Sequence, residues 1–147
     1  MIKSYVYIIL VIAFCFTGCG SLSETCKTIW GSSTRKLEEA RVDAITKTYK
    51  CSYDDCFDVI LTLDRNNKNN LPINKKCFEI FLKDRVKGCI VVMGIKGNIK
   101  TTEVGIFLSD KRDGFIKLEI SSLSSTAKEK VAEWVFKELG SHFRVVE

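Results

Sequence analysis

Histidine and proline are nearly missing from this chain of 147 residues, which has one of each. His142 alone cannot build a His-based metal site, and its isolation removes most His-dependent mechanisms. The seven cysteines fall below the density of a disulfide-dominated mini-protein. None of them forms a Cys-x-x-Cys motif, and their scattered spacing gives no support to a Cys-only metal site. There is no Gly-rich phosphate loop, no internal repeat and no low-complexity block. Ser121, Ser122, Ser124 and Ser125 lack a nucleophile-elbow pattern and read as a strand end and a helix entry. Asp54, Asp55 and Asp58 crowd one helix start without the ligand pattern of a calcium loop, and capping and dipole complementarity account for them. Arg85, Lys87, Lys111 and Arg112 fall on two hairpin tips, but Asp84, Asp110 and Asp113 sit beside them. That mixture is a solvated surface, not a nucleic-acid stripe. The expectation is therefore no catalytic residue, no metal, no cofactor and no nucleic-acid partner.

What is present begins with MIKSYVYIILVIAFCFTGC. Lys3 and the terminal amine are positive, Tyr5 to Phe16 form an apolar run of twelve residues, and small Thr17 and Gly18 precede Cys19. Charged, apolar, small is the layout of a secretory signal. The run is shorter than the roughly 20 residues a membrane-spanning helix needs. No other stretch has eighteen consecutive apolar residues, so the rest of the chain is not a membrane bundle.

Phe16-Thr17-Gly18-Cys19 resembles the lipobox of bacterial lipoproteins, in which small residues precede a Cys that is acylated and becomes the new N-terminus. Phe16 stands where that family usually carries Leu or another aliphatic residue. The resemblance implies cleavage between Gly18 and Cys19 and lipidation of Cys19. It divides the chain into a signal peptide over 1–18, a lipidated Cys and tether over 19–34, and a globular domain over 35–147. It places the protein in the cell envelope, anchored on the periplasmic or extracytoplasmic face. Gly20 and Ser21, where Asp would retain a lipoprotein in the inner membrane, favour the outer membrane if the cell has two. As flexible coil, residues 20–34 span about 20 Å and reach at most roughly 50 Å. Within them Trp30 either folds back onto the domain or meets the bilayer interface.

The composition, 46% hydrophobic and 28% charged, suits one globular domain and excludes wholesale disorder. Residues 33–41 suit a short helix capped by Ser33. From Val42 a helix could continue to Tyr49, but β-prone Ile45, Thr46, Thr48 and Tyr49 favour a strand at 43–50, with Ile45, Lys47 and Tyr49 on one face. Ser52 starts a helix with Asp55 three residues on, and Tyr53, Cys56, Phe57, Ile60 and Leu61 form its apolar stripe. The polar segment 65–75, with Pro72, reads as an exposed loop. Four strands follow. Residues 77–84 alternate, with Phe78, Ile80 and Leu82 on one face. Residues 89–95 are nearly all apolar, as in a strand buried on both sides. Residues 101–109 place Val104, Ile106 and Leu108 together. Asp113-Gly114 signals a hairpin into 115–122, with Ile116, Leu118 and Ile120 inward. A last helix at 126–142 is capped by Thr126 and carries Val131, Trp134, Val135 and Leu139. The fold class is α+β in a single domain. It runs strand-helix, then a four-stranded antiparallel meander and a C-terminal helix, with helices packed on one face of the sheet. From residue 42 this order is similar to a domain that recurs in small envelope lipoproteins of uncharacterised function, and to helix-grip-like modules of outer-membrane assembly lipoproteins. The likeness rests on the lipobox-type segment, TYKCSYDDCFDVILTL and KLEISSLSSTAKEKVAEWVFKEL.

Export implies an oxidising compartment. Beyond Cys19, the odd set Cys26, Cys51, Cys56, Cys77 and Cys89 leaves at least one thiol unpaired within a monomer. Cys51 and Cys56 straddle the strand-to-helix corner and form the candidate disulfide, which needs Cα atoms within about 7 Å. The alternative is Cys56 packed as a small apolar core residue. Cys77 and Cys89 flank the first hairpin out of register. The functional expectation is a non-enzymatic interaction or structural module, held to the membrane by its N-terminal lipid and meeting an unidentified envelope protein. The alternative is a small apolar-ligand binder, its pocket between sheet and C-terminal helix lined by Trp134 and Phe136.

Overall fold

The computed structural model describes residues 34–67 and 77–146. Gly18, Cys19, Cys26, Trp30, Ser33 and Pro72 lie outside the described residues. A short helix, α1, covers 34–39 and tightens into a 3-10 turn at Ala40–Asp43. Then come β1 (Ile45–Lys50), α2 (Tyr53–Thr62), β2 (Glu79–Asp84), β3 (Cys89–Met93), β4 (Val104–Lys111), β5 (Phe115–Ser121), α3 (Ser125–His142) and β6 (Arg144–Val146). The chain is a single α+β domain around a six-stranded sheet in the order β2-β3-β4-β5-β1-β6, each neighbouring pair antiparallel.

The alternation read in β4 and β5 sets the layers. Val104, Ile106 and Leu108 of β4 and Ile116, Leu118 and Ile120 of β5 enter one core with Tyr49 of β1. Cys56, Phe57 and Ile60 of α2 and Ala127, Val131, Val135 and Leu139 of α3 close it from the other side. Two amphipathic helices thus bury one face of the sheet, at roughly 1.5–3 kcal/mol for each large aliphatic or aromatic side chain. Lys47 shares that face with Tyr49, and its ammonium reaches the rim, 5.5 Å from the Phe136 ring centroid.

The β2–β3 and β4–β5 hairpins form as their turn residues require. Asp84 pairs with Cys89 across the 85–88 turn. There Gly88 adopts φ +65°, and a Cβ on it would sit 2.4 Å from the Leu108 carbonyl oxygen. Lys111 pairs with Phe115, and Asp113 and Gly114 turn the chain at φ +69° and +75°.

Three expectations need correction. Phe78, Ile80 and Leu82 do not share a face. The register shifts between Ile80 and Leu82, so Ile80 stays with the main core while Leu82 opposes Val91 on the other side. This bulge at Phe81 inserts one residue and inverts the alternation beyond it. The cap of α3 is Ser124, whose Oγ accepts from the Ala127 amide at 3.3 Å, whereas the Thr126 hydroxyl donates to Asn98 Oδ1 at 3.0 Å. The chain after His142 adds β6, which pairs Arg144, Val145 and Val146 with Lys50, Tyr49 and Thr48.

Among the described residues, the second face of the sheet is covered only in part, and by α1. Leu37 is buried there against Cys89, Val91 and Phe107, with Leu82 packed alongside. The Ser121 hydroxyl donates to the Leu37 carbonyl at 2.7 Å. The Arg41 guanidinium lies 4.6 Å from the Phe107 ring centroid and pairs with Glu119. Both margins of the sheet are short of free ladder. Leu63–Arg65 runs against the start of β2, with Cys77 N donating to Leu63 O, Arg65 N to Phe78 O and Ile80 N to Asp64 Oδ1. At the opposite margin β6 has 3 residues.

Leu37 is the one large apolar anchor of α1, so Leu37→Ala should cost about 2–4 kcal/mol. Urea denaturation measures this. Amide exchange should rise first in α1, ahead of β4 and β5.

Candidate functional site

The corner between β1 and α2 gathers the most chemistry among the described residues. Tyr49 ends the buried part of β1, and its hydroxyl donates to the Phe136 carbonyl at 3.2 Å. Two residues on, the Cys51 amide donates to the Gly114 carbonyl at the tip of the β4–β5 hairpin, at 3.2 Å. The chain then turns at Ser52, whose Oγ accepts from the Asp55 amide at 3.1 Å and caps α2. One helical turn brings Cys56 back beneath Cys51, with the Cys56 amide on the Ser52 carbonyl. The two sulfurs lie 2.6 Å apart. Cys56 is buried and Cys51 half-buried.

The same helix start is tied to the other hairpin tip. The Tyr53 hydroxyl donates to the Arg85 carbonyl at 2.6 Å. The Arg85 guanidinium reaches Asp54 at 2.6 Å, pairs with Asp58, and lies 4.5 Å from the Phe57 ring centroid. The crowded carboxylates therefore have an arginine partner besides the helix dipole. That partner was hidden from sequence reasoning, since it depends on the β2–β3 tip folding over α2.

Electrostatics keep both corner thiols protonated. Burial pushes Cys56 far up, and the hydrogen bond to Cys51 and the charge of Asp55 add to it. Burial also raises Cys51, against a lowering by the hydrogen bond with Cys56. A thiol held above its ordinary range is a poor nucleophile at neutral pH. In disulfide exchange, a high-pKa thiol is also a poor leaving group. Both cysteines are free thiols in this structure, and burial disfavours a thiolate at either position.

The other candidates sit apart from this corner. Cys77 packs at the edge of the main core, while Cys89 lies in the cluster on the second face. Trp134 and Phe136 pack against the main core, and Phe136 lies 6.3 Å from the Tyr49 ring. Neither lines the open cleft of about 510 Å³ between the Cys51–Tyr53 corner and the Asp110–Gly114 hairpin. Neither lines the cleft of about 650 Å³ between Lys36, Ala40, Asp43, Leu123, Ser125 and Lys128. His142 is exposed at the end of α3, 3.4 Å from Glu138. Ser121 and Ser122 donate to the Leu37 and Glu103 carbonyls. Among the described residues no buried side-chain nitrogen or oxygen lacks a hydrogen-bond partner, and no cluster of three or more His, Cys, Asp or Glu could hold a metal. Among them, too, no helix is long and apolar enough to cross a membrane.

No family model matches the sequence, and no curated protein does.

Burial, with the charges of Glu38 and Asp84, raises Cys89 from 9.0 to about 11. The folded protein keeps this proton where the unfolded chain loses it. The associated stability is complete below pH 9.0 and falls as the pH climbs to about 11, by about 3 kcal/mol at most. Urea midpoints measured across that interval should fall more steeply in the natural protein than in Cys89→Ala.

Proposed function

We propose that the chain is a lipid-anchored cell-envelope protein, and that its domain works as a non-enzymatic interaction or structural module near the membrane. The observation that carries this reading is the leader. Tyr5–Phe16 is a compact apolar run behind Lys3, and Thr17-Gly18-Cys19 follows it in the manner of a lipobox. Acylation at Cys19 would leave fifteen residues before Arg35, which keeps the domain within roughly 50 Å of its membrane. An envelope protein is the proposed partner.

Two features of the fold support the reading. The side-chain hydroxyls and carboxylates of the corner and the serine segment are used in caps, strand ends and ion pairs. The proximity of Cys51 and Cys56 suits a chain that matures in an oxidising compartment. Their bridge forms as the two thiols give up two protons and two electrons to a disulfide-bearing oxidant, which is reduced to a dithiol. It closes a short loop, so its chain-entropy contribution is modest. Its effect is to pin the first turn of α2 to the end of β1.

Cys19→Ala should move the protein out of the membrane fraction while circular dichroism of the domain stays unchanged. Membrane retention equal to that of the natural protein would overturn the anchor. Intact mass of membrane-purified protein should report loss of residues 1–18, addition of acyl chains and a deficit of two hydrogens. Digestion before aspartate without reductant should return the peptides of Cys51 and Cys56 as one linked pair, and two alkylated cysteines would overturn the bridge.

A further inference from the structure

The open half of the second sheet face is unusual in charge. Register places Lys111, Phe115, Lys50 and Arg144 in one row across β4, β5, β1 and β6, each directly opposite the next. Directly opposed residues of antiparallel strands project from the same face. The row crosses three strand spacings of about 4.8 Å, so it is roughly 14 Å long. Lys50, Lys111 and Arg144 are exposed, and Phe115 is half-buried between the two lysines. The next row inward holds Ser109, Lys117, Thr48 and Val146. Among the strand residues of this half that project from this face, Glu119 is the one carboxylate, held by Lys117 at 3.0 Å and by Arg41, while exposed Asp113 flanks the row in the turn after Lys111. Lys50, Lys111 and Arg144 form no ion pair among the described residues. Like charges directly opposite each other, as Lys50 and Arg144 are, disfavour the pairing, and an anion over them would relieve that repulsion.

Where the chain enters points to what that anion is. α1 lies on this same face, with Leu37 and Arg41 seated on Phe107 and Glu119. On the anchored reading, the tether that carries the lipidated Cys19 joins the domain there. We propose that the row Lys111–Phe115–Lys50–Arg144, with Lys117 behind it, is a docking surface for the anionic phospholipid headgroups of the membrane to which the chain is anchored. The cations meet headgroup phosphates, and the Phe115 ring settles at the interface between them. This inference rests on the anchored reading and adds an orientation to it: the second sheet face turned to the lipid, and α2 and α3 turned away.

The test uses the full chain with vesicles of phosphatidylcholine alone, or mixed in equal parts with phosphatidylglycerol. An amine-reactive, membrane-impermeant ester then labels exposed lysines, read by mass spectrometry. In the anionic vesicles Lys50 and Lys111 should be labelled several-fold less than in phosphatidylcholine, and high salt should restore them. Lys137, exposed on α3, should be labelled alike in both. Each cation contributes about fivefold to attraction at an anionic surface. Lys50→Gln with Arg144→Gln should therefore weaken docking about 25-fold, and Lys111 should again be labelled. A chain held by both kinds of vesicle, with Lys50 and Lys111 labelled equally in each, would overturn the docking and leave the anchor standing. A chain held only by anionic vesicles, salt-reversibly and with the row protected, would support the docking and overturn the anchor. Protection by inorganic polyphosphate but not by anionic vesicles would overturn the membrane as the occupant.

Discussion

The burial of alternate side chains of β4 and β5 beneath α2 and α3 is the constraint on which the rest of the structure depends. Ile106, Leu108, Ile116, Leu118 and Ile120 all point one way. That choice of face fixes where Tyr49 must enter from β1 and where both helices must lie. Once Tyr49 is placed, Cys51 falls beside the Gly114 hairpin tip, Ser52 becomes the cap, and Cys56 returns under Cys51 one turn later. The sulfur contact is thus a by-product of register and helical pitch, with no separate device needed to produce it.

The same constraint makes the sheet two-sided in character. With the apolar set committed to α2 and α3, the remaining side chains face the other way. On β3 and β4 these include Cys89, Val91 and Phe107, which need a cover and receive it from Leu37. On β5, β1 and β6 they are Lys117, Thr48, Lys50, Arg144 and their neighbours, which need none. Among the described residues, α1 covers the apolar half of this face, and the other half carries polar and charged side chains. The ion pairs around Glu119 mark the boundary between halves. Burial alone would raise the pKa of that carboxyl, but the hydrogen bonds and charges of Arg41 and Lys117 hold it below the ordinary carboxylate value.

Period-2 alternation was enough to read β4 and β5 from sequence, and a polar cap followed by helical spacing was enough for α2. The short α1 and the preference for strand over helix before Lys50 were also legible, from helix formers and β-branched residues respectively. The Phe81 bulge was not, because an inserted residue leaves no mark on composition and only register reveals it. Nor was Ser124 over Thr126 as the cap: both residue types cap well, and the loop carrying Asn98 takes the Thr126 hydroxyl for itself. β6 is too short to show a period. At the corner, Cys51 and Cys56 could be paired on paper from their spacing, whereas the Arg85 fork required the hairpin to fold over α2. The cationic row was equally hidden. Its members are scattered from Lys50 to Arg144 and become neighbours only through the order β4-β5-β1-β6.

The margins of the sheet carry one more consequence. At one border the Leu63–Arg65 segment already occupies donors and acceptors of the incoming strand; at the other, a stub of three residues closes the array. Among the described residues, neither rim offers a second copy a long template for annealing. Edge-to-edge annealing of copies through these rims would therefore rest on a few ladder bonds at each border.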